Sequence, residues 1–303
     1  MLQDKSKSIL ITGGSSMVAT HMKEILPSGF NVMYIDSSYC DLTDPKAVKW
    51  LISSIMPDHV IHLAAKVGGI QDNIKYPAEY FNENILMNTI LIKVCQEYNI
   101  KRFTGILSTC IYPDVVDTYP MTELDIHKGP PAPTNFSYGY SKRAMAVQID
   151  SHNKQYGTKY NYLIPCNLFG EHDNFNHTTK MHFITALLKK IKDSDKELRL
   201  LGTGKPLRQF MYAGDLAKIL IKVIDKDITD SFNIAPDWNY SINEMAEKTL
   251  DILKKDLNII YSKPELDGQY RKDVSNNKMK SILPNFKFTS FKDGILKSYD
   301  KIS

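Results

Sequence analysis

The sequence is short of cysteine, with four in 303 residues: Cys40, Cys95, Cys110 and Cys166, all far apart. No Cys-x-x-Cys pair occurs, so neither a zinc knuckle nor a disulfide framework is indicated, and the thiols are expected to be reduced, as in the cytoplasm. Eight histidines are present, none in a His-Glu-x-x-His or related spacing, and no metal is expected. No apolar run approaches the ~18–20 residues that a membrane helix needs. The polar start Met1-Leu2-Gln3-Asp4-Lys5 runs into Ser8-Ile9-Leu10-Ile11 without a signal-peptide pattern. A surplus of one charge is also missing: 38 Lys+Arg against 34 Asp+Glu leaves +4. The densest basic stretch, Lys189, Lys190, Lys192 and Lys196, is broken by Asp193, Asp195 and Glu197. It reads as a solvated helix end, whereas nucleic-acid binding needs a basic stripe. A soluble cytoplasmic chain with no nucleic-acid partner and no membrane is expected.

What is there is ordinary globular composition, 43% hydrophobic and 24% charged, in a length that admits two domains or one large core with a smaller part attached. Short apolar runs at 8–12, 31–36, 59–63, 102–108 and 159–165 alternate with helical patterns at 17–26, 45–56, 77–99 and 138–156. That order predicts an α/β fold, a Rossmann-type doubly wound parallel sheet. After Asn167 the alternation weakens into a loop over 170–180, a helix over 181–192 and a strand near 197–201. The expected division is a dinucleotide-binding part over 1–167, with 205–230 returning to it, and a smaller mixed α/β substrate part over 168–204 and 231–303. In open α/β sheets ligands sit outside the carboxyl ends of the strands, so chemistry is sought in the loops that follow them.

The first such loop, Thr12-Gly13-Gly14-Ser15-Ser16-Met17-Val18-Ala19, stands where a dinucleotide-binding turn belongs. Gly13 supplies the tight turn, and the helix behind it aims free N–H groups and a positive dipole end at a pyrophosphate. Ser16 and Ala19 occupy the second and third glycine places, so the fingerprint is degenerate. Asp36 ends the second strand at about the ~20-residue spacing of an acid that binds ribose hydroxyls; a turn or helix-cap acid is the plainer alternative. An acid there favours NADH, because a 2′-phosphate would meet a like charge, although Ser37 and Ser38 offer hydroxyls to a phosphate.

Tyr138 and Lys142 lie four apart at the start of a helical pattern, hence on one face. An ammonium beside the phenol would lower its pKa from about 10, and such a tyrosine can give a proton to an alkoxide as hydride reaches a ketone. Ser108, closing the preceding strand, can hydrogen-bond the same carbonyl. A Tyr-x-x-x-Lys on an exposed helix face is common by chance, and its weight here comes from the combination with the first loop and Ser108.

With these residues stand Ala64-Ala65-Lys66-Val67-Gly68-Gly69-Ile70, Ser108-Thr109-Cys110-Ile111-Tyr112-Pro113, Pro133-Thr134-Asn135, Pro165-Cys166-Asn167-Leu168-Phe169-Gly170, His172-Asp173-Asn174-Phe175 and Gly202-Thr203-Gly204-Lys205-Pro206-Leu207-Arg208. In this order, over roughly 8–216, they resemble the GDP-L-fucose synthase family of the extended short-chain dehydrogenase/reductases. The resemblance implies a homodimer that epimerises a GDP-linked 4-keto-6-deoxy sugar at C3 and C5 and reduces it at C4 with NADPH, NADH staying open because of Asp36. A C4-reductase without epimerase activity, acting on a related sugar such as a heptose, is the alternative. The implied catalytic residues are Ser108, Cys110, Tyr138, Lys142 and His182, with His177 a rival of His182 because the loop before it is one residue longer. Implied cofactor contacts are Gly13, Ser15, Ser16, Met17, Val18, Asp36, Lys142, Pro165, Asn167 and Leu168, and implied substrate contacts are Lys190, Arg208 and Asp267. The chain departs from the family at Lys190, commonly arginine, at Leu201, commonly tryptophan, and in the shortened spacing before Asp273-Val274-Ser275.

Overall fold

The computed structural model describes residues 7–173, 181–264 and 267–302. Its first half alternates as the periodicity requires: β1 (Ser8–Thr12), α1 (Met17–Ile25), β2 (Asn31–Ile35), α2 (Pro45–Ile55), β3 (His59–His62), α3 (Ile70–Lys75), α4 (Pro77–Glu97), β4 (Arg102–Ile106), α5 (Phe136–Tyr156) and β5 (Asn161–Pro165). The second half contains β6 (Asn167–Phe169), α6 (Phe183–Asp193), β7 (Glu197–Leu201), β8 (Leu207–Arg208), β9 (Phe210–Tyr212), α7 (Ala213–Asp225), β10 (Phe232–Ile234), β11 (Tyr240–Ser241), α8 (Ile242–Leu253), β12 (Asn258–Ser262), α9 (Asn277–Ile282) and α10 (Phe291–Asp300).

Six strands form one sheet in the order β10-β5-β4-β3-β1-β2, every pair parallel. β3, β4 and β5 are buried along their whole length, as a parallel sheet covered on both faces demands. Local chemistry sets the ends of the elements. Asp44 caps α2, with Pro45 in its first turn, and Ser241 and Glu244 form a reciprocal capping box on α8. β2 stops one residue before the expected 36 because Asp36 turns its carboxylate onto the Ser38 amide and hydroxyl. β4 stops before the expected 108 because Ser108 caps a short 3₁₀ turn over Thr109–Ile111. β5 begins at Asn161, later than the expected 159, because Asn153 exchanges hydrogen bonds with the backbone of Tyr160.

Two apolar cores follow the two halves. The larger joins the sheet to α1, α2, α4, α5 and α7; the smaller gathers Phe169, Ile184, Leu188, Leu198, Phe210, Met245 and Ile295. Around the smaller core, β6 pairs with β9, β7 with β12 and β8 with β11. One expected boundary is corrected here. Residues 231–303 were assigned to the substrate part, yet Phe232, Asn233 and Ile234 pair with Leu163, Ile164 and Pro165 at the edge of the main sheet. Val274, Met279 and Leu283 likewise fill the larger core. The return to the sheet thus extends past 230, because Phe232 and Ile234 are apolar and fully buried there.

Asp215, at the start of α7, is fully buried. Its carboxylate accepts from the Thr289 amide (2.6 Å) and hydroxyl (2.8 Å) and pairs with Lys218 (3.0 Å). It thereby ties the segment leading into α10 to the main core. Asp215→Ala strands the Thr289 amide and is expected to cost about 2–3 kcal/mol, read as a lower thermal midpoint; an unchanged midpoint contradicts this.

Candidate active site

At the end of β1, Gly13 has φ of +71°, and a Cβ there would stand 2.8 Å from the Ala64 amide nitrogen, so only glycine lets the first turn lie against the loop after β3. Ser16 caps α1 by accepting from the Ala19 amide. The helix geometry leaves the Met17 and Val18 amides as first-turn donors, and Ser15 is exposed beside them. This bare-backbone cradle fits a nucleotide pyrophosphate. Asp36 lies at the next strand end, its carboxyl held below the usual range chiefly by Ser38. Pro165, Asn167 and Leu168 line the exit of β5, with Asn167 donating to the Gln209 carbonyl (2.9 Å).

Ser108, Cys110 and Tyr138 converge at the end of β4. Gly139 is what permits it: a Cβ there would be 2.4 Å from the Cys110 carbonyl oxygen, so α5 seats its first turn directly on the 108–111 turn. Ser108 Oγ accepts from the Cys110 amide (3.3 Å). The Tyr138 phenol is pushed well above its ordinary value, by burial first and then by Cys110 and Tyr80. This corrects the expectation that Lys142 lowers it. Lys142 is 1% exposed and its Nζ donates to the Ile106 carbonyl (2.8 Å); burial takes the ammonium down to about 7. Shared helix spacing brings the two residues to one face, but burial penalises charge on both. The phenol accordingly stays protonated, the form a proton donor needs.

Beneath Lys142 runs a buried polar chain that the sequence did not announce. Thr12 Oγ1 and His62 Nδ1 are 2.7 Å apart, and His62 Nε2 and Asn88 Oδ1 3.0 Å. Burial, then Lys142, takes His62 down to about 3, so the imidazole is neutral and links β1, β3 and α4 without adding charge.

Two further residues set the charge of the expected acid–base pair. Lys272, 8% exposed, donates from Nζ to Cys110 Sγ (2.9 Å). Burial alone would raise the thiol, but the Lys272 cation, with Ser108 and Asn135, brings it below the ordinary value. His182, at the N-cap of α6, lies 3.0 Å from Asp173, whose carboxylate also accepts from the Thr185 hydroxyl. Asp173 raises the His182 pKa, outweighing burial. His177 lies outside the described residues.

The expected substrate residues separate. Arg208 is near enough to Cys110 and Asp267 to feel both charges, and its guanidinium donates to the carbonyls of Leu207 (2.8 Å) and Asp267 (3.4 Å). Both carboxylate oxygens of Asp267 are taken by Thr203, through its amide and its hydroxyl, at 2.6 Å each. The geometry therefore makes Asp267 a clamp on the 202–204 turn beside Arg208. Lys190 stands eight residues along α6 from His182, about 12 Å at the helical rise, and its Nζ donates to the Arg199 carbonyl (2.8 Å). The structure does not bring it to Arg208.

Residues 9–235 match the model of the NAD dependent epimerase/dehydratase family. A GDP-L-fucose synthase from Dictyostelium discoideum is 37% identical over 302 residues, covering 96% of this chain and 94% of that protein. A GDP-L-colitose synthase from Yersinia pseudotuberculosis is 30% identical, covering 88% and 89%. Among solved structures, a GDP-L-fucose synthetase from Naegleria fowleri bound to NADP superposes with a TM-score of 0.88 at 29% identity, over 100% of this chain and 94% of that one.

If Lys272 holds Cys110 toward its thiolate, Lys272→Met leaves burial uncompensated, and the pH midpoint of Cys110 alkylation should rise by about one unit or more. A midpoint that stays in place contradicts the pairing.

Proposed function

The chain belongs to the NAD dependent epimerase/dehydratase family and, within it, to the GDP-L-fucose synthase family, and from that premise we propose that it epimerises a GDP-4-keto-6-deoxy sugar at C3 and C5 and then reduces C4. It is a nicotinamide-dependent oxidoreductase. The observation that carries the coupled reading is the opposite displacement of two titratable groups, Cys110 downward under Lys272 and His182 upward under Asp173.

Carbons flanking the C4 carbonyl are acidic because the enolate spreads its charge onto oxygen. A Cys110 thiolate removes the proton from such a carbon, and Ser108 and the Tyr138 phenol donate hydrogen bonds to the oxygen that becomes negative. The His182 imidazolium returns a proton to the other face, and inversion results. A thiol eased toward its anion suits a base, and an imidazole eased toward its cation suits an acid. A bound nicotinamide would supply the hydride for C4. Tyr138, kept protonated by burial, delivers its proton to the resulting alkoxide, and Ser108 holds the oxygen in line. Lys142, anchored on Ile106, fixes the floor of the site and offers its remaining protons to the ribose side. Arg208 is placed to meet the diphosphate with a planar donor fork. Gly13, Ser15, Ser16, Met17 and Val18 would hold the cofactor pyrophosphate.

We take the cofactor as NADPH, supported by the likeness to an NADP-bound structure; Asp36 already accepts from the Ser38 amide and hydroxyl, which turns Oδ1 toward its own loop. A homodimer through α4 and α5 is supported by their long mutual packing, with Phe81, Leu86 and Val147 left exposed on these two helices.

Mixing the protein with GDP-4-keto-6-deoxymannose and NADPH should oxidise the cofactor stoichiometrically with substrate. Tyr138→Phe should lower that rate by about a hundredfold or more while cofactor binding is retained. No oxidation by the parent protein overturns the substrate, and equal rates overturn the role of Tyr138.

A further inference from the structure

A cluster of metal-capable side chains lies away from the acid–base groups, between α1 and the loop after β6. His21 comes from the second turn of α1, and Glu171 and His172 from the loop that follows Gly170; one ligand atom from each falls within 4.8 Å of the others. His21 is 3% exposed. Its Nε2 is buried without a hydrogen bond, and so is Glu171 Oε2; His172 Nε2 is buried in an ion pair with Glu24. Buried imidazole and carboxylate atoms without hydrogen bonds are costly, and these two face each other beside His172.

The distances suit a small divalent ion. Zinc bonds of about 2.0–2.2 Å to nitrogen and oxygen put tetrahedral donors about 3.4 Å apart. His21 Nε2 and Glu171 Oε2 are 3.8 Å apart, and His172 Nε2 is 2.8 Å from Glu24 Oε1. Glu24, on the next turn of α1, supplies a fourth donor at the half-exposed rim. The outer contacts are of the kind that orient ligands: the Tyr212 hydroxyl donates to Glu171 Oε1 (2.6 Å), and the His21 ring stands edge-on to Tyr212. No linear motif reveals this set, because His21 and His172 are far apart in sequence.

We propose that His21, Glu171, His172 and Glu24 form a site for one divalent transition-metal ion of the zinc class, with a nitrogen and oxygen donor set. Its position gives it a structural task. The ion joins the helix behind the cofactor turn to the loop whose next residue, Asp173, holds His182.

The test uses the full chain, stripped with EDTA and titrated with Zn²⁺ by calorimetry and with Co²⁺ by absorption. The expected result is one equivalent of Zn²⁺ bound at about 10 µM free metal, with a higher melting temperature. Co²⁺ should give visible bands of a four-coordinate site and no sulfur charge-transfer band. His172→Ala, which changes a partly exposed side chain, and His21→Gln with Glu171→Gln should each weaken binding by more than the ~10–100-fold typical of losing an outer contact. Failure to bind one equivalent, a cobalt–thiolate band that places the ion on Cys110, or full affinity in folded variants overturns the site.

Discussion

One contact holds the two halves of this chemistry together: the ammonium of Lys272 against the sulfur of Cys110, 2.9 Å apart and 162 residues distant in sequence. Burial alone would drive the thiol to its neutral form. The adjacent cation lowers the cost of charge on the sulfur. The segment carrying Lys272 is stitched on both sides. The Met121 amide donates to the Asp273 carbonyl and the Ser275 amide to the Met121 carbonyl, while Arg271 bridges to Leu207 beside Arg208. This segment therefore joins the Met121 loop to the strand that bears Arg208 and lowers the Cys110 thiol.

The rest of the site divides charge in the same physical currency. Tyr138 and His62 are kept neutral by burial, and Lys142 is brought close to neutrality by it. His182 is partly exposed and paired with Asp173, so it keeps its proton above the usual imidazole range. Burial thus favours the protonated phenol, Lys272 favours ionisation of the sulfur, and Asp173 favours the cationic imidazole.

Much of the main sheet was legible from the sequence, because strands buried on both faces are continuous apolar runs such as Ile9-Leu10-Ile11 and because Ser16 and Asp44 cap the first two helices. Ser108 and Tyr138 stood out as candidates at strand and helix ends, and Cys110 only through the family resemblance. The missing parts are contacts between distant residues. Lys272 was visible only as a basic residue in a late loop, and nothing local says that it reaches Cys110. Asp173 was within view, next to His172, but its partner lies across the 174–180 segment. The edge strand Phe232–Ile234 is three residues long, too short for periodicity to detect. For Tyr138 the spacing from Lys142 suggested a lowered phenol, whereas burial raises it, since spacing carries no information on burial.

The central claim is that a single site makes and quenches an enolate before hydride transfer. Incubating the protein with GDP-4-keto-6-deoxymannose in deuterated water, without reduced cofactor, and weighing the recovered sugar nucleotide tests it directly. Deuterium entering C3 and C5 in the parent protein, and lost in Cys110→Ser, is the result this account predicts; no deuterium at either carbon, with reduction at C4 still occurring when cofactor is added, would contradict it.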